Sequence, residues 1–278
     1  MLYNIDSRLR PAAGVYAYHQ AKKLDMMGEN ATLWWKAAAY YAEQGKFIWE
    51  AALALRKQQE MQPAIDAFRR AGQSDDLPDW QKLLAQALAA EYSGDLTKAA
   101  NWYKEGLVIN PCETRLRLGL ARTISKRYGD SPEAILDVLL PSDCPPDAAV
   151  LIEIGRVYRE KEDWTASVIA YQEALTLAPK SYEAILGLGI TYVEMGQDEQ
   201  AIELLSEATI LRPEDPRGHY HLGRAFEAQH KLSQAIAAYA QAISLSPNPS
   251  WYCAAYQRIC TSGINCNPWS EMVAQKCP

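Results

Sequence analysis

The sequence predicts an all-α protein, a right-handed α-solenoid of about eight helix hairpins. Two observations carry that prediction. Pro111, Pro145, Pro179, Pro213 and Pro247 follow one another at an unbroken interval of 34 residues, and a fixed period of this size means stacked copies of one small unit. Small and bulky columns recur within the copies. Counting back 24 residues from each proline gives Ala87, Ala121, Gly155, Gly189 and Gly223, with Ile154, Leu188 and Leu222 before the last three and Tyr158, Tyr192 and Phe226 after them. No stretch shows the two-residue alternation of a strand.

In chain order, residues 1–75 are divergent helical hairpins, with helices near 11–27, 31–43, 47–59 and 62–72. "QPAIDAFRRAG" resembles the second helix of a unit and "LWWKAAAYYAEQG" a first one; the two assignments conflict, which leaves the pairing of these four helices open. Residues 76–247 hold five repeats. In the copy ending at Pro213, Ile185, Leu188 and Tyr192, then Ile202, Leu205 and Ile210, fall at helical spacing. Gly196 and Asp198 release the first helix and start the second. Gly189, Ala201 and Ala208 are small because helix axes about 8–10 Å apart leave no room at the crossing. Pro213 ends the second helix, since its ring nitrogen has no hydrogen to donate. The copy ending at Pro145 departs from the pattern: its second helix stops at Leu140, before the loop "PSDCPPD". Residues 248–278 read as a capping hairpin, one more first helix ("WYCAAYQRIC") and a short return ("NPWSEMVAQKC").

These columns resemble the tetratricopeptide repeat family, whose pattern sets Leu-Gly, an aromatic, Ala, an aromatic, Ala and Pro at fixed offsets. Leu222, Gly223, Phe226, Ala235, Tyr239, Ala242 and Pro247 fit it, and the preceding "LIEIGRVYREKEDWTASVIAYQEALTLAP" fits with Ser167 replacing the usual Ala. The resemblance implies a superhelix that binds extended peptides or helices on a concave face lined by the first helix of each unit. That lining would be Ile152, Arg156, Arg159, Leu186, Ile190, Val193, Tyr220 and Arg224. Apolar surface flanked by arginines suits a peptide with acidic side chains or a carboxylate. The Lys/Asn clamp with which some family members grip chaperone tails has no counterpart here, so that ligand is not expected.

Composition excludes several function classes. A net charge of −6 and a pI near 5.4 argue against nucleic acid, whose phosphates need a basic stripe. No stretch approaches the roughly 20 apolar residues of a membrane span. His219 and His221 lie two apart on a helix and face different ways; His19 and His230 stand alone. There is no HExxH, P-loop, GxSxG or dinucleotide fingerprint. The expectation is a non-enzymatic protein-interaction scaffold with no cofactor, no metal and no small-molecule substrate.

Six cysteines bear on location. Cys112 follows Pro111 and Cys144 precedes Pro145, so both lie in inter-repeat turns on one edge, one unit apart. Cys253 and Cys260 on one helix are about 10.5 Å apart along its axis, too far to bridge. A hairpin return then nests Cys260–Cys266 inside Cys253–Cys277. Reduced thiols remain an alternative; zinc does too, although the spacing lacks paired CxxC. Disulfides imply an extracytoplasmic or extracellular setting. The start "MLYNIDSRLRPAAG" has no apolar signal core, so that setting expects a leader or anchor upstream of Met1; the cytoplasm is the alternative. Asn30-Ala31-Thr32 is a glycosylation sequon for a secreted chain.

Repeat arrays need polar end caps, yet the first helix carries Val15 and Tyr16 and the last Trp251 and Tyr252. Trp34, Trp35, Trp251 and Trp269 fall outside the repeat core columns and are candidate interface anchors. The partner expected is protein, with head-to-tail self-assembly into a filament as one form. The alternatives are a cytoplasmic adaptor holding a peptide in its groove and the soluble tail of a larger membrane protein.

Overall fold

The computed structural model describes residues 10–128, 132–141, 143–145, 147–260, 266 and 269–277, among which there are sixteen helices and no strand. They divide into two compact units, Met1–Pro145 and Pro146–Pro278. The first unit holds the hairpins α1 (Arg10–Met26) with α2 (Thr32–Tyr41), α3 (Gly45–Lys57) with α4 (Met61–Ala71), α5 (Asp79–Tyr92) with α6 (Leu96–Ile109), and α7 (Thr114–Tyr128) with α8 (Pro132–Leu139). The second holds α9 (Ala148–Glu160) with α10 (Trp164–Leu177), α11 (Tyr182–Glu194) with α12 (Asp198–Leu211), and α13 (Pro216–Ala228) with α14 (Leu232–Leu245). In its last hairpin, α15 (Ser250–Cys260) and α16 (Ser270–Lys276) both pack on α14. No helix among the described residues is long and apolar enough to cross a membrane.

The pairing that the sequence leaves open in the divergent region is decided by contacts. "LWWKAAAYY" forms α2, the second helix of the first hairpin rather than a first helix. The reason lies in its contacts with α1. A Cβ on Gly14 would sit 2.3 Å from the Ala42 backbone nitrogen, so α1 presses directly on the end of α2. The Trp35 indole also turns back to α1, donating to Asp25 at 2.9 Å and meeting Tyr18 edge-on. "QPAIDAFRR" does form a second helix, α4.

The division between units falls inside the 76–247 array, where the repeat is shortest. Helix α8 has only 8 residues, and its last carbonyls are met by a buried side chain: Arg117 donates to the Leu139 carbonyl at 3.1 Å. Elsewhere local chemistry keeps the repeat in frame. Gly94, Glu162, Gly196 and His230 occupy one column of the repeat, and all are left-handed, with φ of 86°, 59°, 70° and 58°. Glycine tolerates this turn freely, whereas Glu162 and His230 hold it at a steric cost. Asp95 and Asp163 cap the helices that follow, each accepting from a backbone N–H at 3.1 Å. Asp198 does not cap; it is the first residue inside α12, and Gln197 holds the cap position.

Three helices in each unit are tied by the same side chains. Tyr103 on α6 donates to Glu91 on α5 at 2.8 Å, and Arg122 on α7 donates to the same carboxylate at 2.6 Å. At the equivalent positions of the second unit, Tyr239 donates to Glu227 at 2.7 Å and Arg258 does so at 2.7 Å. Each tie clamps a hairpin to the next first helix through charge-assisted hydrogen bonds.

Candidate peptide groove

The first helices α9, α11 and α13 lie side by side in the second unit and carry the residues expected to line a groove. Arg156 pairs with Glu153 at 2.6 Å and with Glu160. Arg224 pairs with Glu194 at 2.8 Å. Ile152 and Val193 are half-buried between these charges. Tyr220 is half-buried too, and its ring lies 5.2 Å from that of Tyr252 and 5.7 Å from that of Tyr239. Leu186 and Ile190 do not line the surface: at 3% and 8% exposure they belong to the core beneath α11. They pack beneath the expected lining.

Further residues beside the candidate lining were not among those expected. Arg217 pairs with Asp215 at 2.7 Å and Glu183 at 3.1 Å. Arg212 and Arg217 also stand over the Tyr182 ring, at 4.4 and 5.7 Å. Such cation–π contacts hold the arginines against the surface. His221 is held neutral, its pKa lowered to about 3, by burial first and then by the charges of Arg224, Arg159 and Arg217. Its Nδ1 is buried with no hydrogen-bond partner. His219 instead sets its Nε2 3.0 Å from the Pro213 carbonyl. The spacing of His221 and Arg224, three apart on one helix, was the sequence signal for a shared face.

Arg159 is the exception among these arginines. No carboxylate among the described residues pairs with it, and its Nε is buried without an acceptor. Its guanidinium faces the Tyr171 phenol. Burial raises the pKa of Tyr171, and the nearby Arg159 charge partly opposes that rise.

The expected assembly residues are spread between surface and core. Tyr16 is 58% exposed and Trp251 74%. Val15 is half-buried, and Trp34 is half-buried with its ring edge-on to Tyr16 at 5.9 Å. Trp35, at 3% exposure, is a core residue, because its indole is spent on Asp25 and the α1 contact. Trp269 packs against the last core cluster of the second unit, and Tyr252 is absorbed in the Tyr220 stack. Asn30 is exposed; its Oδ1 accepts from the Thr32 N–H at 3.0 Å, and the Thr32 hydroxyl donates to Gln58.

The cysteines meet in three pairs. Cys112 and Cys144 have their Cα atoms 5.3 Å apart, Cys253 and Cys277 5.8 Å, and Cys260 and Cys266 5.7 Å, each joined by an S–S bond. These separations suit a disulfide. The second and third pairs tie α15 to Cys277 and Cys266, and the Tyr256 hydroxyl donates to the Cys266 carbonyl at 3.0 Å.

Comparison with known proteins agrees with this architecture. Two family models described as tetratricopeptide repeat match residues 158–225 and 216–249. The chain is 31% identical over 126 residues to tetratricopeptide repeat protein 17 of Mus musculus, which covers 44% of this chain and 10% of that protein. It is 20% identical over 210 residues to the BBSome complex member bbs-4 of Caenorhabditis elegans, covering 70% of this chain and 44% of that one. The chain thus spans less than half the length of either relative. Among solved structures, the APC/C hetero-tetramer Cut9-Hcn1 superposes with a TM-score of 0.60 at 12% identity, over 84% of this chain and 49% of that one. A MamA protein superposes with a TM-score of 0.50 at 22% identity, over 62% of this chain and 94% of that one. At these identities the likeness concerns the fold, an all-α solenoid.

Proposed function

We propose that this chain, a tetratricopeptide repeat protein, is a non-enzymatic scaffold that holds an extended partner peptide across α9, α11 and α13. Proteins of this family serve as protein-interaction scaffolds, so the question for this chain is where it binds. The observation that carries the reading is the half-buried aromatic stack of Tyr220 and Tyr252 beside a row of arginines fixed by local carboxylates. Aromatic rings and held guanidinium groups are the side chains that dominate binding energy at protein surfaces. The test is a peptide display selection on the immobilised chain. Selected peptides should lose about tenfold or more in affinity for a Tyr220→Ala variant, as an aromatic anchor does. Peptides that bind this variant and the wild type equally would remove the groove from the proposal.

The setting that suits this scaffold is oxidising and extracytoplasmic, supported by the three cysteine pairs; a reduced protein would favour the cytoplasmic adaptor. A second reading, head-to-tail self-association, is favoured by one observation. Tyr16 in the first hairpin and Trp251 in the last remain largely exposed, where a solitary array calls for polar caps.

A further inference from the structure

The two Tyr–Glu–Arg ties define a column of the repeat. Glu91 and Glu227 occupy it in α5 and α13, each accepting from the tyrosine of its own hairpin. Midway between them in sequence, the same column of α9 holds Arg159, and the matching tyrosine is Tyr171 on α10. The charge is therefore inverted at this one place. Where the other two tyrosines donate to a carboxylate, Tyr171 donates to none among the described residues and faces a guanidinium instead. The position that supplies the tie's arginine in the first and last cases, Arg122 and Arg258, is here the buried Ile190.

The surroundings make the missing anion conspicuous. Of the four arginines on α9 and α13, Arg156, Arg217 and Arg224 have carboxylate partners and Arg159 has none among the described residues. On α13, His221 lies within electrostatic reach of Arg159 and keeps its Nδ1 without a partner. Between these helices α11 presents Gly187, where a Cβ would meet the Tyr171 hydroxyl oxygen at 2.7 Å. A bare backbone there is what lets that hydroxyl reach α11. A half-buried guanidinium without a counter-charge is costly, and that cost falls when an anion binds.

We infer that the second unit holds one carboxylate of its partner against Arg159, Tyr171 and His221, in the place that Glu91 and Glu227 fill within the chain's own ties. The carboxylate accepts a forked pair of hydrogen bonds from Arg159 and a further one from the Tyr171 hydroxyl, while the imidazole N–H of His221 approaches it from α13. The subsite rests on the groove reading and adds to it the acidic character of the ligand. An aspartate or glutamate side chain and a C-terminal carboxylate present the same chemistry.

The experiment follows the His221 ring nitrogens by NMR in protein labelled with 15N-histidine, with a His221→Gln variant to assign the signals. The probes are N-acetylglutamate amide (side-chain carboxylate only), N-acetylalanine (C-terminal carboxylate only) and neutral N-acetylglutamine amide. A saturable shift with either acid, and none with the neutral amide, supports the subsite; which acid acts identifies the source. No shift with either acid, or an equal shift with the neutral amide, overturns it. Arg159→Gln should weaken the acid by about tenfold to a hundredfold, the loss expected for a forked charge-assisted pair. Arg159→Glu places the tie's carboxylate inside the chain, so the acid should no longer bind while the melting temperature holds or rises. Wild-type affinity in Arg159→Glu overturns the inference. If displayed peptides bind Arg159→Glu normally, the groove stands and the subsite falls; if none are selected but the acids bind, the reverse holds.

Discussion

Replacing Glu91 by Gln should cost the first unit about 3 kcal/mol near neutral pH, and the cost should vanish in acid. The Glu91 side chain is 1% exposed and accepts from Tyr103 at 2.8 Å, from Arg122 at 2.6 and 2.8 Å, and from Lys126 at 2.9 Å. Burial alone would raise its pKa, but the hydrogen bonds and charge of Arg122, with Lys126 and Tyr103, outweigh it and lower the value from 4.5 to about 2. A carboxyl depressed on folding adds stability above its unfolded pKa and loses it as pH falls through the folded one. The difference between 4.5 and about 2 corresponds to about 3 kcal/mol at about 1.4 kcal/mol per unit. Removing one partner of a buried pair costs about 3–5 kcal/mol. The low end applies here because Arg122 and Lys126 are 44% and 50% exposed and can turn to water. Urea unfolding of wild type and Glu91→Gln, followed by circular dichroism, gives the difference at each pH. The gap should be constant above about pH 5 and close as pH falls towards about 2. A gap that does not change with pH, or one under about 1 kcal/mol at neutrality, would refute the assignment of this carboxylate as an ionised, buried tie.

Four further outcomes follow from single features. Without prior reduction, iodoacetamide should label none of the six cysteines, which all lie in bridged pairs; six additions would place the protein in the reduced, cytoplasmic reading. A Cys253→Ala, Cys277→Ala double variant should lose about 2–4 kcal/mol by chemical denaturation, the usual effect of opening a loop, and an unchanged midpoint would deny the bridge a structural role. Gly14→Ala puts a Cβ 2.3 Å from the Ala42 nitrogen, and backbone cannot yield as a side chain can, so a loss of about 1–3 kcal/mol is expected; a stabilised variant would mean that α1 and α2 pack otherwise. Trp251→Ser should abolish any concentration-dependent light scattering, and scattering that persists in this variant would remove Trp251 from the self-association reading.

The hairpins were readable from sequence because their punctuation is local. Pro179 and Pro213 stop helices wherever they stand, and α10 and α12 end just before them, at Leu177 and Leu211. The pairing of α2 was not readable that way. "LWWKAAAYY" has the apolar pattern of either helix of a hairpin, and only the approach of Gly14 to Ala42 decides which one it is. The expected lining was harder still. Leu186 and Ile190 hold positions that would face a ligand in an ideal array, yet the closeness of α11 to its neighbours buries them. The Glu91, Arg159 and Glu227 column was present in the sequence at equal steps, but a column of mixed charge means little until the tyrosine opposite each member is known.

By itself, the sequence determined the period, the helical hairpins and the cysteine neighbours at the C-terminus. All of these follow from interactions within about one repeat, where helix breakers, small residues and apolar spacing act independently of the rest of the chain. Only the tertiary structure decided which charges are satisfied. Glu227 has its Tyr239 and Arg258, whereas Arg159 meets Tyr171 and pairs with no carboxylate among the described residues. That difference depends on side chains from three helices converging, and such a meeting is set by packing across the array rather than by spacing along it.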